Sequence, residues 1–559
     1  MNHPSPPRLD NQYRSDRVLQ TWLGQRVPET VRSSIHADLD ALGAHAAEAW
    51  AEARSRSASK PVLTEWNAWG ERIDRIELTP TWQHGAEMAA RYGLVARGYD
   101  PTHGEFARCD QFARIYLYHV ASEFFTCPLA MTDGAASAIR ASRNAELMAR
   151  ALPRLTSTDP ESLWLSGQWM TELAGGSDVG NSETEARRDA DGRWQLYGRK
   201  WFSSAVIGEM ALTLARPQGA GDGADALAMF YVETRDAQGH WNGIRVDRLK
   251  QKLGTHELPT AEIHLDGALA IPVSGLDHGV RRIAPMLNVT RTWNAVCALA
   301  TMRRCLSLAT AYAHQRRAFG HCLIEHPLHA ATLADLQSDF EAAFQLVFEV
   351  AHLLGRSESG SADAGEQTLL RILTPLTKLW TGKLAVQIAS ETCEAFGGAG
   401  YIEDTGIPQL LRDAQVFPIW EGTTNVLALD ALRATASIGL DPLFERAADL
   451  LEKTGIEGDS LGLGPAKQAI RNALADAQQW HAAYAKDRQA LQAGARNLAF
   501  TLARSMAAAL LYRNAAHALA HSADRRPAQA LSRFVGRGLS ELRSPDPGAA
   551  VDLLDTPNT

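Results

Sequence analysis

Apolar and small residues recur at three- and four-residue spacing through most of the first 155 positions, for example in VRSSIHADLDALGAHAAEAWAEARSRS (31–57) and FARIYLYHVASEFF (112–125). That spacing predicts helices. From about Trp164 to Val273 the period shortens to two in RWQLYGRKWFSSA (193–205), ALTLARP, ALAMFYVE, GIRVDRL and AEIHLDGALAIPV (261–273), with Gly, Asp and Pro between the runs. Short alternating runs with such breaks predict a small antiparallel β domain. Helical spacing returns after Gly279 in three long stretches, 288–319, 329–354 and 374–396, the last two joined by the weakly hydrophobic GRSESGSADAGEQ (355–367). Gly397 and Gly398 stop the third in the usual C-terminal manner. Long helices with short connections form a bundle.

The expected organisation is mainly α with a central β domain: an N-terminal helical domain (1–160), a middle β domain (161–278), a helix bundle (279–440) and a further helical region with a polar tail (441–559). At 559 residues the chain exceeds what one core usually serves. A hydrophobic fraction of 45% and a net charge of -8 are ordinary for a globular protein and argue against a surface that binds nucleic acid throughout. The six cysteines are scattered with no CxxC pair, which predicts free thiols, a cytoplasmic setting and no metal site. The start, MNHPSPPRLDNQYRSDR, lacks the apolar core of a signal peptide, and no run approaches the roughly 18 apolar residues of a spanning helix, so no membrane association is expected.

Two motif matches fail on context. Residues 458–462 read G-D-S-L-G, but a nucleophile elbow needs a strand before it and a helix after it, whereas this string follows a helical pattern and leads into a Gly/Pro linker. The glycines at 221 and 223 lie between two strand-like runs beside Asp222 and Asp225, which would repel a pyrophosphate, so a hairpin loop is expected there.

Two other clusters carry chemistry. MTELAGGSDV (170–179) offers hydroxyls at Thr171 and Ser177 and close backbone approach at Gly175 and Gly176, and RKWFSS (199–204) sets aromatics beside hydroxyls, a surface suited to a planar ring. WEGTTN (420–425) places the Glu421 carboxylate between an indole and a glycine ahead of the helical pattern NVLALDALRATA, with Thr423 or Thr424 as N-cap. By itself that arrangement fits two roles: an acid favoured by the helix dipole, or a desolvated proton abstractor.

MTELAGGSDV, RKWFSS, LKQKLG (249–254), HQRRAFGHCLIEHP (314–327), AFGGAGYIED (395–404) and RDAQVFPIWEGTTNVL (412–427), in that order and spacing, resemble the acyl-CoA dehydrogenase family over residues 163 to 433. CPLAMTDGAA (127–136), the long chain and the extra C-terminal helices are most similar to its AidB-like branch. The resemblance implies an FAD enzyme in which Glu421 is the catalytic base. It implies that Met170, Thr171, Gly176 and Ser177 lie along the flavin and its phosphates, with Phe202 and Ser204 on the other side of the ring and Ser177 also near substrate. Arg316 and Phe319 match the R-x-x-F-G positions that contact a neighbouring subunit's FAD, and Gly397, Gly398 and Gly400 match the loop at the ADP portion. Trp420, Thr423 and Asn425 match further cofactor contacts, and Arg291 stands where the family often has an active-site arginine on the substrate side. Glu394 replaces a common Gln at another cofactor contact, and Ser204 replaces the usual Thr.

The implied reaction removes an α proton from an acyl-CoA thioester and passes a β hydride to the flavin, in a homo-oligomer built as a dimer of dimers, with an electron-transfer flavoprotein as acceptor. A flavin monooxygenase on the same scaffold would have no use for an α-proton base at position 421. A flavoprotein acting mainly by binding DNA or a fatty acyl ligand is the other reading. Its support is twelve basic residues against four acidic ones between Lys467 and Arg543. Against it, Arg488, Arg496, Arg504 and Arg513 would point to roughly 0°, 80°, 160° and 340° on one continuous helix, which is no stripe.

Overall fold

The alternation in RWQLYGRKWFSSA forms an eleven-residue strand, Trp194–Ser204, whose buried positions include Leu196, Lys200 and Ser203 while Phe202 faces out. The protein, examined as a computed structural model, is described for residues 5–53, 59–452 and 462–554. Most of the G-D-S-L-G string, 458–461, lies outside the described residues.

The chain divides into two units, Ile35–His103 with Asp110–Cys297, and Met1–Ser34 with Gly104–Cys109 and Ala298–Thr559. In the first, a hairpin of β1 (Val62–Trp66) and β2 (Arg72–Glu77) interrupts the N-terminal helices, a feature the helical pattern did not announce. The Asp74 carboxylate accepts from the Val246 backbone N–H at 2.9 Å and the Arg72 guanidinium donates to the Val246 carbonyl at 2.7 Å, so two charged side chains fasten this hairpin to the sheet.

The main sheet has seven strands, β3 (Ser166–Trp169), β4 (Glu185–Arg188), β5 (Trp194–Ser204), β6 (Met210–Pro217), β7 (Ala228–Glu233), β8 (Ile244–Leu249) and β9 (Thr260–Pro272). The antiparallel pairings β4 with β5, β5 with β9, β9 with β7 and β7 with β6 are completed by a parallel pairing of β4 with β6, which closes a ring of five strands. A second parallel pairing, β3 with β6, lies outside the ring. Closure removes the open edges that would otherwise recruit another strand. Trp169, Leu196, Val206, Phe230, Val246 and Ile263 fill one core of this domain.

The bundle helices are α1 (Ala284–Gln315), α2 (Pro327–Ser359), α3 (Ala364–Ala395) and α4 (Thr424–Ile438), followed by α5 (Arg488–His521) from the C-terminal region. Helix α2 runs through GRSES and ends at Gly360, whose φ of 78° is the left-handed C-terminal position that favours glycine. Helix α3 starts at once, capped reciprocally by Asp363 and Glu366, so the connection is shorter than the hydrophilic 355–367 stretch suggested. Within the second unit α3 packs on α2 and α4, and α5 packs on α2 and α4. Among the described residues no helix is long and apolar enough to cross a membrane, and no cluster of His, Cys, Asp and Glu is arranged to hold a metal.

Ionic ties are unusually deep in this second unit. Glu349 on α2 is buried and meets Arg26 at 3.3 Å, Arg513 on α5 at 3.6 Å, and Arg446. Burial alone would raise its pKa, but the guanidiniums of Arg513, Arg446 and Arg26 outweigh that and hold the carboxylate well below its usual range.

Candidate functional site

The residues singled out by sequence fall into two sets, one in each unit. In the β-domain unit the loop after β3 folds back on itself through mutual backbone hydrogen bonds between Glu172 and Gly175 (3.2 and 3.1 Å). It is pinned to β5 where the Trp201 N–H donates to the Thr171 carbonyl at 2.9 Å. The motifs MTELAGGSDV and RKWFSS, thirty residues apart in sequence, are thereby adjacent in space. Gly175 has φ 143°, a region costly for other residues, and an added Cβ at Gly176 would lie 2.8 Å from the Thr171 hydroxyl.

The anchor of this loop is Glu172, which the sequence reading passed over. Its carboxylate is buried and accepts from Lys200 Nζ at 2.6 Å, Thr184 Oγ1 at 2.6 Å, the Glu183 N–H at 2.6 Å, and Ser182 Oγ. Burial raises the Glu172 pKa, yet the Lys200 ammonium and the hydroxyl donors overcome this and hold it below the usual carboxylate range. Lys200 is wholly buried, which lowers its own pKa against the opposing pull of Glu172. The signal was available as a buried-phase lysine in an alternating strand, but strand phase gives no partner. Met170 is buried, Ser177 is exposed, and Phe202 leaves 46% of its surface to solvent. The Ser204 hydroxyl bonds the Thr260 hydroxyl at 3.0 Å. Arg291, half-buried on α1, is flanked by Trp293, whose indole N–H donates to the buried Asp133 of CPLAMTDGAA at 2.7 Å.

In the second unit α1 ends at Gln315 and the chain makes a tight hairpin, Arg317–Ala318 against His321–Cys322. Phe319 and Gly320 form its turn with φ of 49° and 84°, the left-handed pair that two-residue hairpins require. Phe319 thus pays local backbone strain to project a phenyl ring that is 95% exposed. Arg316 stands at the foot of the hairpin, where its carbonyl accepts from the Leu323 N–H at 2.8 Å. One turn back along α1, Tyr312 stacks on Phe396 with centroids 4.2 Å apart, which sets the foot of the hairpin beside the glycine loop 397–401. An added Cβ at Gly397 or Gly398 would meet nothing within 4 Å, whereas at Gly400 it would sit 2.0 Å from the Cys393 carbonyl oxygen. The first two glycines leave open space and the third permits contact with the helix end. Glu394 is exposed in the last turn of α3.

Glu421 lies in the turn between the buried 417–418 segment and α4, with φ 58°, and Gly422 follows at φ 103°. A left-handed glutamate is uncommon and marks a backbone held by its surroundings. Trp420 and Glu421 are both half-buried. Thr423 takes the N-cap position of α4 with no side-chain capping bond, Thr424 is buried, and Asn425 Oδ1 accepts from Arg496 of α5 at 3.2 Å. Two neighbours of this turn come from α3. Lys378 Nζ donates to the Gly422 carbonyl at 2.6 Å, and an added Cβ at Gly382 would lie 3.1 Å from the Phe417 carbonyl and the Pro418 nitrogen.

The basic excess of the C-terminal region is largely spent within the fold. Lys467 and Arg471 pair with Glu452, Arg504 with Glu541, Arg513 with the buried Glu349, Arg526 with Asp524, Arg533 with Asp335 and Arg537 with Asp339.

The same chain matches family models for the AidB N-terminal domain over residues 2–161, the acyl-CoA dehydrogenase middle domain over 167–268 and the acyl-CoA dehydrogenase C-terminal domain over 277–435. Residues 440–544 match the acyl-CoA dehydrogenase 11 C-terminal domain-like model. It is 40% identical over 523 residues to acyl-CoA dehydrogenase family member 11 of Caenorhabditis elegans, covering 90% of this chain and 84% of that one. The chain belongs to the acyl-CoA dehydrogenase family. Members of this family are FAD-dependent oxidoreductases acting on the CH–CH bond of acyl-CoA. AidB of Escherichia coli (strain K12) is 32% identical over 445 residues, 77% of this chain and 79% of that one. The crystal structure of Caenorhabditis elegans ACDH-11 in complex with C11-CoA superposes with a TM-score of 0.92 at 38% identity, covering 97% of this chain and 93% of that one. The extra helices past residue 440 are therefore part of an AidB-like acyl-CoA dehydrogenase architecture.

Proposed function

We propose that this protein is an FAD-dependent acyl-CoA dehydrogenase in which Glu421 takes the α proton of a fatty acyl thioester. The observation that carries this reading is the conformation of the Glu421 turn. A carboxylate merely favoured by a helix dipole needs no left-handed backbone, whereas one held at φ 58° by surrounding structure is aimed. The residues present also fit the flavin. Phe202 and Phe319 expose aromatic rings, Gly397 and Gly398 leave open backbone, and the Thr171 and Ser177 loop presents hydroxyls beside Phe202.

FAD, when bound, supplies the acceptor for the β hydride. The protein's own part is to orient the acyl chain, exclude water and hold the base. Met170, Thr171, Gly176, Ser177, Phe202 and Ser204 would line the isoalloxazine and its phosphates, and Thr423, Asn425 and Trp420 would add contacts on the base side. Arg316, Phe319, Glu394, Gly397 and Gly398 would serve the FAD of a neighbouring subunit, in a homotetramer built as a dimer of dimers. Arg291 and Ser177 would face the thioester, and an electron-transfer flavoprotein would receive the electrons. The C11-CoA bound by the Caenorhabditis elegans relative supports a fatty acyl-CoA substrate here. A main role in DNA binding is less well supported, because seven of the twelve basic residues in the C-terminal region are paired with carboxylates.

The test is anaerobic bleaching of the purified, FAD-loaded protein by a panel of short- to long-chain acyl-CoAs. Bleaching by at least one, lost in Glu421→Gln with FAD retained, is expected, because the amide is nearly isosteric but takes no proton. Bleaching of Glu421→Gln at the wild-type rate would overturn the assignment of the base.

A further inference from the structure

Helix α3 presents three residues to the segment that carries Glu421, and they lie on one stripe. Arg371, Lys378 and Gly382 are separated by seven and four positions, the spacing that keeps side chains on one helical face. Gly382 lets the helix backbone approach the 417–418 segment so closely that a single methyl would touch it at 3.1 Å. Lys378 reaches the carbonyl of Gly422 at 2.6 Å, on the far side of Glu421. Arg371 grips Asp430 on α4 at 2.7 Å, further along the same segment. The turn is thus held on α3 before Glu421, immediately after it and two turns beyond.

The middle contact is the informative one, because Lys378 has no exposed surface. Placing an ammonium there forfeits its solvation by water, and a leucine or methionine would fill the same volume without that cost. Its hydrogen bond to the Gly422 carbonyl, one of the contacts it makes, falls on a turn in which Glu421 at φ 58° and Gly422 at φ 103° are both left-handed. A non-glycine residue in that region is strained and relaxes unless its neighbours over-determine it. Relaxation of Glu421 into the right-handed region would swing the carboxylate away from its present direction while leaving the helices in place.

We infer that Lys378 is a positioning residue for the base: through the Gly422 carbonyl, and with Gly382 setting the approach of the helix, it fixes the direction of the Glu421 carboxylate. The inference rests on the reading of Glu421 as the base. A misplacement of about 1 Å costs up to about a hundredfold in rate, so the kinetic effect of losing Lys378 is expected to exceed its effect on binding.

The experiment uses the FAD-loaded protein and the acyl-CoA that bleaches wild type fastest. Four quantities are compared in wild type, Lys378→Met, Gly382→Ala and Glu421→Gln: FAD per chain, the anaerobic bleaching rate at saturating ligand, the acyl-CoA concentration giving half that rate, and its pH profile. For Lys378→Met the expected result is bleaching slowed by about tenfold to a hundredfold, with FAD content and half-saturation within twofold of wild type. Gly382→Ala, which moves the 417–418 backbone without touching Lys378 or Glu421, is expected to slow bleaching several-fold with the same pattern, and it carries the test if Lys378→Met does not fold. Wild-type bleaching in the folded variants, or a fall in FAD content and a rise in the half-saturating concentration that together match the fall in rate, would overturn the inference. Loss of bleaching in Glu421→Gln beside wild-type bleaching in Lys378→Met would overturn the positioning role alone. Wild-type bleaching in Glu421→Gln would overturn the base and the positioning role together.

Discussion

Glu172 and Lys200 form an ion pair at 2.6 Å with both side chains buried, and the carboxylate simultaneously accepts from Thr184 and Ser182. The pair joins the 170–177 loop to the middle of β5, so the loop proposed to face the cofactor owes its shape to a contact it hides. Lys200→Met should leave a buried carboxylate without its cation and cost about 3–5 kcal/mol. The Glu172→Gln, Lys200→Met double variant should recover part of that loss. Urea unfolding of the single and double variants checks this, and a Lys200→Met protein as stable as wild type would contradict it.

Phe319 is 95% exposed, so its removal should spare the fold of the single chain. Phe319→Ser is expected to lower FAD retention and subunit association together, with the unfolding midpoint of the isolated subunit little changed. Light scattering and the flavin-to-protein absorbance ratio measure the two losses. Full FAD occupancy in a Phe319→Ser tetramer would separate the hairpin from the cofactor.

His352 lies one helical turn from Glu349, with Cys109 Sγ at 3.7 Å and Phe106 stacked at 5.4 Å. Burial pushes its pKa down to about 4, against the opposing pull of Glu349. The unfolded histidine titrates near 6.5, so between 6.5 and 4 the unfolded chain binds the proton and the folded one does not. Stability conferred by neutral His352 is therefore complete above about pH 6.5 and is lost as the pH falls toward 4, by about 3 kcal/mol at most. His352→Leu should flatten that part of the stability profile. An unchanged slope in the variant would show that His352 is not the titrating group.

Gly400→Ala should be strongly destabilising, because the new methyl would meet the Cys393 carbonyl oxygen at 2.0 Å and neither atom belongs to a movable side chain. We expect a loss above about 2 kcal/mol, in the range of overpacked sites. Gly398→Ala, with nothing within 4 Å of the added carbon, should leave the unfolding midpoint nearly unchanged and lower FAD affinity instead. Thermal unfolding with and without added FAD distinguishes the two.

The order of helices, β domain and bundle was legible because each element buries one face, and burial of one face writes a period into the sequence. The ordered motifs likewise announced the family, since each is a short contiguous stretch whose residue types are read without any tertiary contact. Two things escaped the sequence, one in the first 155 residues and one in the C-terminal region. The β1–β2 hairpin is short and held by Asp74 and Arg72 on distant backbone, and its VLTEW and RIDRIE strands are at most half-buried apart from Asp74, with Leu63 and Ile76 resting on the edge of the β-domain core. The basic excess after Lys467 looked like a surface because charge counting cannot see that Arg513 and Arg537 turn to the buried carboxylates of Glu349 and Asp339.

Sequence alone determined that a carboxylate follows an indole at position 421, that a glycine follows the carboxylate, and that a helix comes next, because each is a local matter of residue type and spacing. Only the tertiary structure decided that Glu421 is left-handed and that Lys378, forty-three positions earlier, holds the carbonyl beyond it. A backbone torsion against its intrinsic preference is stable only through contacts made by other elements, and a buried ammonium finds its acceptor only when two helices and the turn between them have packed.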